Sequence, residues 1–273
     1  MPKAQLKSGR EKSVLRHHPW IFSGAISHAD EGIDSGETVD VLDSKGAIIA
    51  RGAYSPNSQI RIRVWTWDLS ENIDADFIKR RINNAIAFRK RNLDLKLITS
   101  YRIIYGEADG LPGFVVDRYD DILVVQCTTC GAERWRDIFI ELLCQLTGIK
   151  TIVERSDVDI RDLEGLSKRS GLVTGNISSG LHLIKENDLI FGVDVFGGQK
   201  TGFYLDQREN RALMSQHAAN KDVLDCFAYT GGFTISLLAG GAKSVVAVDS
   251  SRANLDIAKH NCALNDRSLD RVE

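Results

Sequence analysis

Apolar and polar positions alternate with two different periods along this chain, and the changes of period divide it. Over residues 1–70 short apolar runs are broken by turn residues. Thr38 to Leu42 and Ile48 to Ala50 flank Asp43-Ser44-Lys45-Gly46, and Gln59 to Trp67 alternates Ile60, Ile62 and Val64 with Arg61, Arg63 and Trp65. A period of two predicts strands, the last with one polar face, so this stretch reads as all-β. From Asp74 to Arg91 the period lengthens. Phe77, Ile78, Ile82, Ala85, Ile86 and Phe88 recur at helical spacing among basic residues, which predicts an amphipathic helix.

A second unit begins near Tyr101. Arg102 to Tyr105, Gly113 to Asp117 and Ile122 to Cys127 read as strands, with Asp109-Gly110-Leu111-Pro112-Gly113 as a turn between the first two. Trp135 to Leu146 reads as a helix and Thr151 to Arg155 as another strand, which together predict a small α+β domain ending near residue 185. Leu189 to Phe196 alternates again as a lead-in hairpin strand. An apolar run from Val223 then meets Gly231-Gly232, a helical pattern follows over Thr234 to Ala239, and a second apolar run, Ser244 to Val248, ends in Asp249. Strand, glycine turn, helix and an acid-tipped strand form a site for a nucleoside-bearing cofactor. The turn lets backbone approach the ligand, and the acid can accept hydrogen bonds from both ribose hydroxyls. The predicted architecture is multidomain, with segments 1–70, 71–187 and 188–273, the last an α/β unit of which only about two strands fall before Glu273.

Composition narrows the class. The chain has 273 residues, 43% hydrophobic and 26% charged, within the range of globular proteins. No apolar run approaches the roughly 20 residues that span a bilayer, so no membrane partner is expected. The first residues lack a secretory signal, and five cysteines, an odd number, do not form a disulfide framework. Both point to a reducing, cytoplasmic setting. Net charge is only −2, but Lys3, Lys7, Arg10, Lys12 and Arg16 face only Glu11 before residue 20. Such a patch binds phosphates or is simply a solvated surface, and charge alone leaves both open.

The turn's chemistry narrows the cofactor. Asp225-x-Phe227-x-Tyr229-x-Gly231-Gly232 is not the dinucleotide pattern of three spaced glycines, and an acid at the strand end would repel a diphosphate that needs bare N–H groups. Asp225 suits an ammonium instead, as on the methionine moiety of S-adenosylmethionine. That favours a methyl donor over NAD. Asp249 lies 24 positions later, the expected distance for a ribose acid. Upstream, Gln199 to Arg208 is polar enough to line a pocket, or is the start of a capped amphipathic helix; the residues alone do not choose. Cys127-x-x-Cys130, a strand end and a loop, lacks a second ligand pair, and His17-His18 has no spaced partner, so no metal site is expected. Cys226 reads as packing, and no nucleophile triad or carboxylate pair stands out.

These residues resemble a known family. Lys200-Thr201-Gly202-Phe203-Tyr204-Leu205-Asp206-Gln207-Arg208, then Leu224 to Phe233 and Val248-Asp249-Ser250, are similar to bacterial class I ribosomal RNA methyltransferases, above all the large-subunit cytosine-C5 enzymes with an N-terminal PUA domain. Gly9 to Lys12, His18 to Gly24, Gly106 to Gly113 and Val153 to Asp157 extend the likeness nearly end to end. The resemblance implies a PUA-like RNA-binding β-barrel (1–70), a central α+β domain (71–187) and the start of a Rossmann-like domain binding S-adenosylmethionine (188–273). It implies cofactor contacts from Asp206, Gln207, Asp225, Phe227, Tyr229, Thr230, Gly231, Gly232, Phe233, Asp249 and Ser250. It implies RNA contacts from Lys200, Arg208, Arg10, Lys12 and Trp20, where stacking and phosphate binding combine.

In such enzymes a Cys thiolate adds to C6 of the base, C5 then takes the methyl group, and loss of the C5 proton releases the Cys. That Cys belongs to a motif expected beyond Glu273, so no catalytic residue is assigned. The chain is expected to be C-terminally truncated, inactive alone and marginally stable after about residue 210. Ribosomal RNA is the expected partner, with a homodimer left open. A guanine-directed enzyme of the same fold, an RNA-binding module with a vestigial cofactor site, and an NAD enzyme are the rivals.

Overall fold

A computed structural model describes residues 1–267. The chain falls into two compact units, one of Met1–Leu93, Arg102–Asp117 and Asp121–Asn176, the other of Asp94–Tyr101, Arg118–Asp120 and Ile177–Glu273. Residues 268–273 of the expected last domain lie outside the described residues.

The first unit opens with a six-stranded sheet. β1 (Lys3–Leu6), β2 (Trp20–Phe22), β3 (Ile26–Ala29), β4 (Thr38–Leu42), β5 (Ile48–Tyr54) and β6 (Ile60–Thr66) lie in the order β2-β6-β5-β4-β1-β3, with one short helix, α1 (Glu11–Leu15). Only β1 and β4 run parallel among the sheet's pairs. Ala4, Leu6, Val14, Ile21, Val39, Val41, Ala50, Ile62 and Val64 form its core. The expected polar face of β6 is not there: Arg63 is 4% and Trp65 1% exposed. Arg63 donates through Nη1 to the Glu164 carboxylate at 2.7 Å, and Trp65 packs edge-on against Phe77 with centroids 6.3 Å apart. A charge partner and an aromatic neighbour cover what alternation assigned to solvent.

α2 (Ala75–Asn92) starts at Asp74, whose carboxylate accepts the Phe77 N–H at 2.8 Å, and buries Phe77, Ile78, Ile82 and Ala85. β7 (Ser100–Tyr105), β8 (Phe114–Tyr119) and β9 (Ile122–Cys127) follow, then α3 (Cys130–Thr147), β10 (Thr151–Ser156), α4 (Ile160–Glu164) and β11 (Arg169–Thr174). The sheet order is β11-β10-β9-β8-β7, and β9 and β10 are parallel across the α3 crossover. α3 begins five residues before its expected start at Trp135. Thr129 caps it by accepting the Ala132 N–H, so Cys130, expected in a loop, is helical and buried. Its first turn, Cys130-Gly131-Ala132, has no polar contrast. A Cβ on Gly131 would sit 2.4 Å from Ala53 Cβ, so the turn packs too tightly for a larger residue.

The second unit holds the expected hairpin, β12 (His182–Glu186) against β13 (Leu189–Val193), then α5 (Arg208–Ser215), β14 (Asp222–Cys226), α6 (Gly232–Ala239), β15 (Ser244–Val248) and α7 (Arg252–Leu264). β14 and β15 are parallel, in register from Asp222 and Ser244 to Cys226 and Val248. Cys226, expected to pack, is exposed, because alternation along β14 turns it and Leu224 outward. Buried Asn261 on α7 accepts the Gly192 N–H at 2.6 Å and donates to the Thr230 carbonyl at 3.0 Å, so one side chain holds β13 and the turn before α6. No described helix is long and apolar enough to cross a membrane.

Candidate functional site

Two parallel strands joined by a helix place their carboxyl ends side by side, and a ligand crevice forms there. β14 ends in the turn 227–231, where Phe227 (φ 61°), Tyr229 (φ 50°) and Gly231 (φ 79°) all adopt the left-handed conformation. Two such residues with side chains are strained, and strain of this kind persists where surrounding contacts fix it. The contacts are visible. The Ala228 N–H donates to the Val248 carbonyl at 3.0 Å, and the Tyr229 N–H to Asp249 Oδ2 at 2.9 Å. Only Gly fits at 231, because a Cβ would lie 2.9 Å from Ala258 Cβ.

Asp249 also accepts the Ser251 N–H at 2.9 Å, with the Asn254 amide at 3.5 Å. Burial alone would raise its carboxyl, but these N–H donors outweigh burial and hold it below the usual carboxylate range. A carboxylate has about four acceptor sites, so its two strong backbone bonds leave capacity on the cleft side.

The cleft has a volume of about 490 Å³. Phe227, Tyr229, Gly232, Phe233, Asp249 and Ser250 line one side, and Gln199, Lys200, Phe203, Tyr204, Gln207 and Arg211 the other. Phe227 is 90% exposed, an aromatic face free for stacking. Lys200 pairs with Asp206 at 2.9 Å and sits 4.4 Å above the Tyr204 ring. Arg211 and Glu186, 2% and 5% exposed, make a two-pronged ion pair at 2.7 and 2.6 Å.

Most of the expected cofactor residues therefore meet in one cleft. Asp206, Asp225, Thr230 and Gly231 are not among its lining residues. Asp225 instead accepts the Thr234 hydroxyl at 2.6 Å. Burial pushes its carboxyl up, against the hydrogen bonds from Thr234, and neighbouring Asp249 adds to the rise. The bond directs one of its oxygens to Thr234 in the first turn of α6. Arg208 is also outside the lining and lies beside Glu209 at 3.1 Å. Gln199, Phe203 and Tyr204 belong to the segment that the sequence offered as pocket lining, and they do line the cleft. Arg211 is the lining residue left without a role, since nothing local marks it and its partner is 25 positions away.

In the first unit, Arg10 and Trp20 line a smaller cleft of about 340 Å³ with Phe22, and Lys12 is exposed outside it. Trp20 donates through Nε1 to Glu107 at 2.7 Å, which fixes the ring with one part open to solvent.

Residues 4–67 match the family profile described as a PUA-like domain, and residues 173–273 that described as an S-adenosylmethionine-dependent methyltransferase. The chain is 47% identical over 268 residues to the ribosomal RNA large subunit methyltransferase I of Shigella dysenteriae serotype 1, covering 98% of this chain and 67% of that protein. It is 48% identical to the protein of that name from Tolumonas auensis, covering 98% of this chain and 68% of that one. Among solved structures, a putative SAM-dependent methyltransferase from Streptococcus mutans superposes with a TM-score of 0.85 at 21% identity, covering 100% of this chain and 70% of that one. Another, a putative methyltransferase complexed with SAH, gives 0.86 at 20% identity, covering 100% and 69%.

Proposed function

The chain belongs to the S-adenosylmethionine-dependent ribosomal RNA large-subunit methyltransferases, and from that membership we propose that it serves methyl transfer to C5 of a cytosine in that RNA. The observation that carries the cofactor assignment is Asp249, a carboxylate held ionised at the tip of β15 with acceptor capacity facing an aromatic cleft. S-adenosylmethionine supplies an activated methyl group on a sulfonium. Asp249 would hold its ribose hydroxyls, Phe227 would stack on the adenine, and Tyr204 and Gln207 would close the opposite side. Asp225 supports the turn through Thr234 in this reading and does not touch the ligand.

RNA contacts are proposed at Lys200 and Arg208 in the second unit and at Arg10, Lys12 and Trp20 in the first. Exposed Lys200, Arg10 and Lys12 and half-buried Arg208 meet phosphates, and the Trp20 ring stacks on an unpaired base. All five cysteines are free, which suits a reducing, cytoplasmic setting.

Transfer to cytosine C5 needs an activated thiolate, and these cysteines do not provide one. Cys127, Cys130 and Cys262 are buried, and burial pushes their thiols and that of Cys144 up, away from the thiolate form. Cys226 is exposed but does not line the cleft. We therefore assign no nucleophile, and residues 1–273 are expected to bind the cofactor without methylating cytosine.

The test is calorimetric titration with S-adenosylmethionine, followed by incubation of the protein and methyl-labelled cofactor with large-subunit RNA. Saturable binding with no labelled cytosine is the expected result. Label on cytosine overturns the thiolate argument, label on guanine overturns the base, and absence of cofactor binding overturns the site.

A further inference from the structure

The two sides of the cofactor cleft are joined by one hydroxyl group. Tyr229, in the turn after β14, is 8% exposed, and its phenol reaches across to the opposite wall. Its oxygen accepts the Gln199 N–H at 2.8 Å and donates to the Gly202 carbonyl at 3.0 Å. A Cβ on Gly198 would stand 2.8 Å from this oxygen, so the wall's backbone approaches the phenol as closely as glycine permits. The same residue's backbone N–H is the one that Asp249 accepts. One residue thus contacts the acid of the cleft and both flanks of Lys200, which itself has φ of 56°.

The wall is braced from its other side as well. The Tyr119 hydroxyl shares a hydrogen bond with Thr201 Oγ1 at 2.8 Å and accepts the Phe203 N–H at 3.1 Å. Tyr204 donates to Gln199 Oε1 at 2.5 Å and meets the Tyr229 ring edge-on at 5.4 Å. The Gln199 N–H and Gly202 carbonyl that Tyr229 binds both lie within two residues of Lys200, whose ammonium pairs with Asp206 and lies over the Tyr204 ring.

We propose that Tyr229 is a positioning residue that couples the cofactor turn to the Lys200 wall, so that filling the Asp249 side of the cleft orders the cation offered to the RNA. The proposal rests on the cofactor reading above. Coupling free energies are reciprocal, so a polyanion held by Lys200 raises cofactor affinity by the factor with which the cofactor raises the polyanion's. Tyr229→Phe removes the hydroxyl, keeps the ring packing, and leaves the backbone N–H to Asp249 in place. The variant is read at saturating cofactor, so its affinity need not match that of the wild type, and the expected pattern is loss of the link to the wall.

Trypsin cleaves after Lys200, so its rate with and without saturating S-adenosylmethionine reads the order of the wall. Wild-type protein should be protected about fivefold or more on binding, the scale of one or two hydrogen bonds, and the Tyr229→Phe protein less than twofold. A residue that merely stabilised the fold would raise cleavage equally in both states. Equal ligand-dependent protection in the two proteins overturns the coupling. If the variant does not fold, hydrogen exchange on wild-type protein decides. Amides 199–203 must gain protection together with 229–233 when the cofactor is added, and protection confined to the turn overturns the proposal. A wild-type protein that does not bind S-adenosylmethionine at all overturns the cofactor assignment first, a result distinct from bound cofactor without coupling.

Discussion

Replacing Arg211 by Met should destabilise the second unit far more than an ordinary surface change. The guanidinium makes two parallel bonds to Glu186, at 2.7 and 2.6 Å, with side chains 3% and 6% exposed. A further contact is the Tyr204 carbonyl at 3.0 Å, and its guanidinium carbon lies 4.7 Å from the Phe203 ring centroid. Removing it strands a buried carboxylate without a counter-charge, which costs about 3–5 kcal/mol. Arg211→Met with Glu186→Leu removes both charges at similar volume, so most of that cost should disappear and the pair should show strong coupling.

The assay must be chosen with care. All four tryptophans, at 20, 65, 67 and 135, lie in the first unit, so intrinsic fluorescence does not report the second. Native-state hydrogen exchange on the amides of β12, β13 and α5 does. The Arg211→Met protein should exchange about two to three and a half orders of magnitude faster there, at 1.4 kcal/mol per tenfold, and the double variant should recover most of this. Acceleration below tenfold, or a double variant as damaged as the sum of the two singles, would refute a paired buried charge as the brace of this wall.

Other expectations follow from the same geometry. Asp249→Ala should weaken S-adenosylmethionine binding by about a hundredfold or more, since two charge-assisted hydrogen bonds are removed, and calorimetry checks it. The folded Asp249 carboxyl is held low, so its contribution persists through the usual carboxylate range and is lost only as pH falls through the depressed value; affinity that already falls within the usual carboxylate range would contradict this. Glu164, whose burial is outweighed by Arg63, Ser55 and Ser58, also titrates below its ordinary range, so its stabilisation of the first unit should fade only in acid, as tryptophan-detected melts would record. Gly231→Ala should cost roughly 1–3 kcal/mol, from the left-handed backbone and the 2.9 Å approach to Ala258, measured by exchange in α6.

Much of the fold was legible because its signals are local. Phe77, Ile78, Ile82 and Ala85 mark one face of α2, and the Asp74 cap marks its start. α3 was legible only from Trp135, because Cys130, Gly131 and Ala132 offer no polar contrast and their small size answers to Ala53 on another element. β6 shows the reverse error. Its alternation is real, but Arg63 faces Glu164, 101 positions away, and no window of sequence contains both.

The sequence by itself determined that a strand, a glycine-bearing turn, a helix and an acid-tipped strand occur in that order, with Asp249 just after the second strand. Those features depend on backbone preferences and periodicity within a few residues. Tertiary structure decided where the side chains in that frame point. Asp225, read as a ligand for an ammonium group, is turned to Thr234, while Arg211 becomes part of the cleft through Glu186. Tyr229 gains its two backbone partners at Gln199 and Gly202 only when the chain folds back across about thirty positions. A side chain's direction is set by whichever buried group still needs a partner, and that partner is chosen by packing, which local sequence does not encode.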